Sequence, residues 1–265
     1  MDYFKTIKAI KPKKRFGQNF LINRHIAEFE AEFGINKNII EIGPGLGILT
    51  RELLKKARNV IAIEKDITMY LILKQEFINE KKLHLINKDV FNINWDEIEK
   101  QDIIISNIPY NMSSRMLDLI ASLKIDGVFC LQKEFVDHMQ AQEGTNKYSM
   151  LSVFSKLQFD IKILKRINAN NFYPIPKVNS AIIYIKFKNK IDHEILHIIS
   201  LIMIHKKKNL KNALLDSAYE LKLEKKNINL FVEKCTYSNQ KVFKISPNNL
   251  VEIANKIKNW QNSSK

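Results

Sequence analysis

A glycine-rich turn between an apolar run and an amphipathic helix constrains this chain more than any other stretch. Ile39-Ile40-Glu41-Ile42 is strand-like, Gly43-Pro44-Gly45-Leu46-Gly47 follows, and Ile48 to Ala57 has helical periodicity. Alternating glycines let the backbone turn sharply and let a ligand approach closely, because no Cβ intervenes. The dinucleotide fingerprint is spaced Gly-x-Gly-x-x-Gly and aims a helix N-terminus at a pyrophosphate. Here the spacing is Gly-x-Gly-x-Gly with acidic Glu41 just ahead of it, which suits an adenosine ligand carrying a cation. S-adenosylmethionine is the leading candidate, and a plain tight turn is the alternative.

The pattern then repeats. Asn59 to Ile63 reads as a buried strand closed by Glu64, 21 residues beyond Gly43, where doubly wound folds place the carboxylate that accepts from ribose hydroxyls; a solvated strand end is the other reading. Asp66 to Asn79 is predicted helical, Leu83 to Ile86 a third strand, and Asp89 stands just past it, so Glu41, Glu64 and Asp89 are expected to converge on one crevice. A fourth strand, Asp102 to Ser106, leads into Asn107-Ile108-Pro109-Tyr110. Alkylating the exocyclic amine of a base requires hydrogen-bond acceptors that favour a tetrahedral nitrogen. The Asn107 side chain and the Ile108 carbonyl can supply them, Pro109 stiffens the backbone, and Tyr110 offers a face for a flipped base. Gly127 to Gln132 is a fifth buried strand, and Phe159 to Ile167 and Ser180 to Lys186 read as a closing pair. Between that pair the two prolines of Asn171 to Val178 make a stiff loop, whose Phe172 is either a second stacking wall or a core cover.

The chain has 265 residues, 45% of them hydrophobic, enough for an α/β domain plus a smaller unit. After about residue 188 the texture changes to helices with short polar joins, predicted at 192–205, 209–221, 225–234 and 247–260. Two domains are expected, 1–188 and 189–265. Lys and Arg outnumber Asp and Glu 43 to 28, a net charge of +15, which favours a polyanionic partner, nucleic acid above all. The excess concentrates in the tail, where Lys206, Lys207, Lys208 and Lys211 sit at a helix junction. These lysines read as a phosphate grip or as a solvated charge run. At the other end Lys5, Lys8, Lys11, Lys13, Lys14 and Arg15 form a basic arm, and the amides of Gln18 and Asn19 precede a helix from Arg24 to Phe33 that they either cap or leave free to bind a ligand. A cap on the helix after Tyr110 is expected from Ser113 or Ser114. The two cysteines, Cys130 and Cys235, make no disulfide framework. With no apolar run long enough for a bilayer, a soluble cytoplasmic protein is expected. His193-Glu194-Ile195-Leu196-His197 fits the zinc-protease helix pattern, but Ser200 and Met203 stand where its extended form needs Gly and His, so no metal is expected.

Taken in order, these motifs resemble the KsgA family of small-subunit ribosomal RNA adenine dimethyltransferases. The resemblance rests on Pro12-Lys13-Lys14-Arg15-Phe16-Gly17-Gln18-Asn19-Phe20-Leu21, Glu41 to Gly47, Asn107 to Tyr110, Leu131 to Glu134, Phe172 to Val178 and Lys207 to Asn212. It implies a Rossmann-like class I methyltransferase sheet with a small helical C-terminal domain that binds RNA. It further implies that Gln18, Asn19, Leu21, Gly43, Gly45, Glu64, Asp89 and Asn107 contact S-adenosylmethionine. Residues 1–24 would then form a basic arm and a loop over the cofactor. Asn107, Ile108, Pro109, Tyr110 and Phe172 would hold the target adenine, and S-adenosylhomocysteine would leave. The implied substrate is an immature small subunit, methylated by a monomer at two adjacent adenosines of a 3'-terminal rRNA hairpin. Macrolide-resistance methyltransferases of large-subunit rRNA share much of this plan, and a non-catalytic assembly factor on the same fold is the third reading. The junction after His205 departs from the family in being Lys-rich rather than Arg-rich.

Overall fold

The computed structural model describes residues 7, 10–13 and 16–263, without the side chains of 262 and 263. Of the basic arm, Lys5, Lys8, Lys14 and Arg15 lie outside the described residues. The chain divides into two compact units, Met1–Val136 with Asp160–Phe187, and Asp137–Phe159 with Lys188–Lys265.

The first unit is built on a seven-stranded sheet. Its strands are β2 (Asn38–Ile42), β3 (Asn59–Ile63), β4 (Leu83–Ile86), β5 (Ile103–Asn107), β6 (Gly127–Gln132), β7 (Phe159–Ile167) and β9 (Ser180–Phe187), in the order β4-β3-β2-β5-β6-β9-β7. From β4 to β6 neighbours are parallel, and β9 runs antiparallel to β6, pairing Gly127 with Ile185 and Gln132 with Ser180. A small two-stranded sheet pairs β1 (Phe20–Leu21) with β8 (Phe172–Tyr173). The central strands β2, β5 and β6 are almost wholly buried, hence their near-continuous apolar runs, whereas the edge strand β4 has no buried residue. Helices α1 (Arg24–Ala31), α2 (Ile48–Lys56), α3 (Ile67–Glu76) and α4 (Ser113–Leu123) complete the alternation, and α5 (Lys133–Met139) follows β6 and runs on into the second unit. The strand order reverses between β2 and β5, and there the carboxyl ends open the crevice that ligands use in such sheets.

Two cap expectations are corrected. Asn23 caps α1 by accepting from the His25 N–H at 3.0 Å, because the amides of Gln18 and Asn19 are engaged elsewhere. Neither Ser113 nor Ser114 caps α4: Met112 holds the cap position, and the Ser113 hydroxyl donates back to the Tyr110 carbonyl at 3.1 Å.

The second unit packs α6 (Met150–Gln158), α7 (His193–Ile204), α8 (Leu210–Asp216), α9 (Lys225–Glu233) and α10 (Pro247–Ser263) around a core that includes Tyr148, Ile199, Ile202, Leu210, Leu250 and Ala254. Helix α8 ends at Asp216, short of the expected Leu221; turns follow to Lys222, which is left-handed at φ 52°, and the Ser217 hydroxyl donates to the Leu201 carbonyl. No helix among the described residues is long and apolar enough to cross a membrane.

Candidate active site

A pocket opens at the switch point of the sheet, and Gly43, Gly45, Glu64, Asp89, Asn107, Ile108, Pro109, Tyr110, Phe172, Gln18 and Asn19 all line it. The glycine turn shapes one wall. Gly45 has φ +58°, and a Cβ there would lie 3.0 Å from the Phe20 ring; Gly47 has φ +77°, with a Cβ 2.8 Å from both Leu73 and Phe77. Only glycine holds both the left-handed backbone and this close packing. The turn is tied across the sheet by the Gly43 N–H, which donates to the Ile63 carbonyl at 2.9 Å.

Glu64 lies at the end of β3, buried, with Oε2 accepting from the Gly45 N–H at 3.1 Å and Oε1 from the Asp66 N–H at 2.8 Å. Burial pushes its carboxyl up to about 7 against those backbone bonds. Each oxygen retains acceptor capacity for a hydroxyl. Asp89 accepts from the Phe91 N–H and from Lys65 Nζ at 2.7 Å. Burial resists its ionisation, but Lys65, the Phe91 N–H and the charge of Arg115 outweigh that and hold it below the ordinary carboxylate value. Glu41, expected in the crevice, does not line it; it is buried behind, 1% exposed, because strand alternation turns Ile42 to the pocket and Glu41 away.

Asn107 ends β5. Its Nδ2 donates to Glu30 Oε2 at 3.1 Å, while its Oδ1 is buried without a hydrogen-bond partner among the described residues. Buried acceptors are rarely left so, and Asn107 is one of the residues lining the pocket. Ile108 is buried and Pro109 extended at φ −55°, ψ 130°, which carries the chain over to Tyr110. The Tyr110 hydroxyl shares a 2.6 Å hydrogen bond with Ser180 Oγ, fixing the ring; burial raises its pKa. Phe172 lines the pocket although it is only 3% exposed, its side chain belonging to the core of the first unit.

The N-terminal residues divide. Gln18 Nε2 donates to Asp66 Oδ2 at 2.9 Å, its Oε1 accepts from the Lys13 N–H, and Lys13 Nζ reaches Asp66 at 2.6 Å. Lys13 is thus held by a carboxylate. Asn19 donates to the Gly17 carbonyl at 3.2 Å. Leu21 is not on the pocket wall: its side chain belongs to the core, backing Phe172 across the β1–β8 pair.

In the second unit the four lysines are not equivalent. Lys206 Nζ donates to the carbonyls of Tyr148 at 2.6 Å and Asn146 at 3.2 Å, a structural tie. Lys208 pairs with Asp216 at 2.5 Å. Lys207 and Lys211 are exposed. His193 and His197 are exposed on α7, and no group of three His, Cys, Asp or Glu that could hold a metal occurs among the described residues.

Sequence reasoning missed Glu30, Asp66, Ser180 and Arg115. Glu30 had a signal: it falls on the apolar face of α1 beside Ile26, Ala27 and Ala31, where a carboxylate has no place unless it has a partner. Arg115 stacks its guanidinium 3.7 Å from the Phe91 ring at the pocket wall; nothing in the sequence joined them.

The family model for ribosomal RNA adenine dimethylase matches residues 9–258. The chain is 35% identical to the probable ribosomal RNA small subunit methyltransferase A of Thermococcus sibiricus, covering 94% of this chain and 93% of the relative. It is 41% identical to ribosomal RNA small subunit methyltransferase A of Mycoplasmopsis synoviae over 69% of this chain and 72% of that one. Among solved structures, a dimethyladenosine transferase from Plasmodium falciparum superposes with a TM-score of 0.75 at 24% identity, covering 90% of this chain and 98% of that one. The 23S rRNA methyltransferase ErmE superposes at 0.61 with 21% identity, covering 91% and 100%. These two likenesses establish the class I methyltransferase fold.

Proposed function

The chain belongs to the ribosomal RNA adenine dimethylase family, and from that premise we propose that it dimethylates the exocyclic amines of two adjacent adenosines in a 3'-terminal hairpin of small-subunit rRNA. The observation that carries this reading is the buried Oδ1 of Asn107, unpartnered among the described residues, in a residue that lines the same pocket as Glu64 and Asp89. When bound, S-adenosylmethionine supplies an electrophilic methyl group on a sulfonium. The residues present suit it: Gly43 and Gly45 leave room along the turn, and the carboxyls of buried Glu64 and half-buried Asp89 lie on the pocket wall, where a cation is welcome. Glu64 would accept from the ribose hydroxyls and Asp89 from the adenine amine.

Tyr110 and Phe172 would hold the target base between them, and Asn107 Oδ1 with the Ile108 carbonyl would accept its amine hydrogens. Accepting both hydrogens turns the nitrogen lone pair out of conjugation with the ring and matches the charge that develops as it is alkylated. The proton lost afterwards goes to solvent, so no side chain need act as a base. Positioning supplies most of the rate. Exposed Lys207 and Lys211, with Lys208, would lie on the rRNA backbone.

Asn107→Ala is expected to lower the single-turnover rate of radiolabelled methyl transfer to immature small subunits about a hundredfold or more, with cofactor affinity within a few-fold. A near-normal rate would remove Asn107 from the reaction. Absence of transfer by the wild type, with tight subunit binding, would point to an assembly factor instead.

A further inference from the structure

Asn107 is held from behind by a residue that no part of the pocket-lining set includes. We propose that Glu30 is a positioning residue for methyl transfer, whose carboxylate receives the Asn107 amide hydrogen and thereby keeps Asn107 Oδ1 turned toward the target amine. This rests on the reading of Asn107 given above and adds a residue to it.

A carboxamide is nearly symmetric in shape, and a half-turn about its last torsion exchanges acceptor for donor. With the amine hydrogens of a base in front of it, only one of the two orientations serves. The Glu30 oxygen 3.1 Å from Nδ2 breaks the symmetry, because a carboxylate accepts and does not donate. Packing gives no reason for a carboxyl here. Glu30 is fully buried on a helix face whose other buried members are Ile26, Ala27 and Ala31, and its second oxygen, Oε1, has no hydrogen-bond partner among the described residues. A leucine or methionine would fill the space without the desolvation that a buried carboxyl carries.

The ionisation state matters in the same way. Burial pushes the Glu30 carboxyl up to about 8, opposed by the Asn107 bond. The titratable groups around it are the buried Glu41 from β2 and the buried Cys130 from β6, whose thiol is pushed up by burial and by Glu30 itself. On α2, which packs on α1, Glu52 is occupied by Arg24 and Lys55. None of these faces Glu30 with a positive charge. Once protonated, Glu30 gains a donor that competes for Asn107 Oδ1, the very acceptor the amine needs. The ionised form is therefore the productive one, and it is favoured when a sulfonium cation enters the pocket.

The test compares wild type with Glu30→Met, Glu30→Gln, Asn107→Ala and the double variant Asn107→Ala/Glu30→Met. It follows single-turnover methylation of immature small subunits from pH 6 to 9, with S-adenosylmethionine affinity measured by calorimetry and the Asn107 amide signal in 15N-labelled apoprotein. Glu30→Met is expected to lower the rate about tenfold or more with cofactor Kd within about threefold. Glu30→Gln, which keeps an acceptor of the same shape, should recover part of that loss. The Asn107 amide signal of the wild-type apoprotein should change with pH through a value near 8, the wild-type rate should rise with pH through that value or a lower one because a bound sulfonium favours the ionised carboxyl, and both should lose that dependence in Glu30→Gln. In the double variant, loss of Glu30 should add nothing to loss of Asn107. A wild-type rate in Glu30→Met, a loss confined to cofactor affinity, an additive double variant, or an unchanged pH profile in Glu30→Gln would each overturn the assignment. If Asn107→Ala itself is unimpaired, the reading beneath it fails; if Asn107→Ala is crippled and Glu30→Met is not, only this inference does.

Discussion

Replacing Glu41 by Gln in the cofactor-free protein should change how stability depends on pH, in a direction and by an amount set by where that side chain sits. Glu41 is 1% exposed, its Oε2 has no partner among the described residues, and burial, with the charges of Glu30 and Glu64 adding to it, pushes its carboxyl from 4.5 to about 8. An unfolded chain gives up this proton near the lower value, whereas the folded chain keeps it to the upper one. In between, the folded state binds the extra proton, so stability is greatest at the acid end of this window and falls as pH rises through it. Each pH unit costs about 1.4 kcal/mol, and the whole interval at most about 5 kcal/mol. Gln is of the same size and never ionises. In urea unfolding followed by far-UV circular dichroism at pH 5, 6, 7 and 8, Glu41→Gln should match wild type at pH 5 to within the change of one hydrogen bond. It should gain on wild type by up to about 1.4 kcal/mol per pH unit above that. Glu30 and Glu64 contribute slopes of the same sign to both proteins, and the subtraction largely removes them. Parallel stability curves for the two proteins would refute the account of Glu41 as a neutral, buried acid.

Two further outcomes follow from the geometry. Gly47→Ala puts a Cβ 2.8 Å from Leu73 and Phe77 on a left-handed backbone; a loss of about 1–3 kcal/mol in urea unfolding is expected, together with weaker cofactor binding, and an unchanged midpoint would mean that α3 gives way freely. Lys207→Gln and Lys211→Gln should each flatten log affinity for rRNA against log salt by about 0.7 to 0.9, while Lys206→Gln, losing its bonds to the Tyr148 and Asn146 carbonyls, should lower stability more than it alters the salt slope; equal salt slopes in all three variants and wild type would move the RNA grip elsewhere.

Strands β2 to β6 were readable to within about a residue because strands buried in a parallel sheet demand apolar runs, and because each run here is closed by a glycine turn or by a polar residue. The positions of Glu64, Asp89 and Asn107 came with them, since side chains at strand ends are placed by the sheet itself. What stayed hidden depends on pairs distant in sequence. Glu41 shares a strand end with the crevice, yet one step of the pleat takes it off the pocket wall. Glu30 becomes meaningful only when β5 is laid beside α1, 77 residues along the chain. Lys206 reads as one of a run of like charges, and only the two carbonyls it meets distinguish it from Lys207. Local pattern carries periodicity and turn chemistry; it does not carry the identity of a buried polar partner.

The short β1–β8 ribbon has a mechanical consequence. Phe20 faces Tyr173, Leu21 faces Phe172, the Ile22 N–H donates to the Asn171 carbonyl at 2.8 Å, and Asn23 reaches the Asn171 side chain at 2.8 Å. The segment bearing Gln18 and Asn19 is thereby stitched to the loop bearing Phe172, so that one side of the pocket mouth works as a single flap rather than two. Prising up either edge must tear the same few backbone bonds, and ordering either edge orders the other. Two ligands that press on opposite edges of such a flap share the free energy of its closure, and each tightens the other's binding by the same factor.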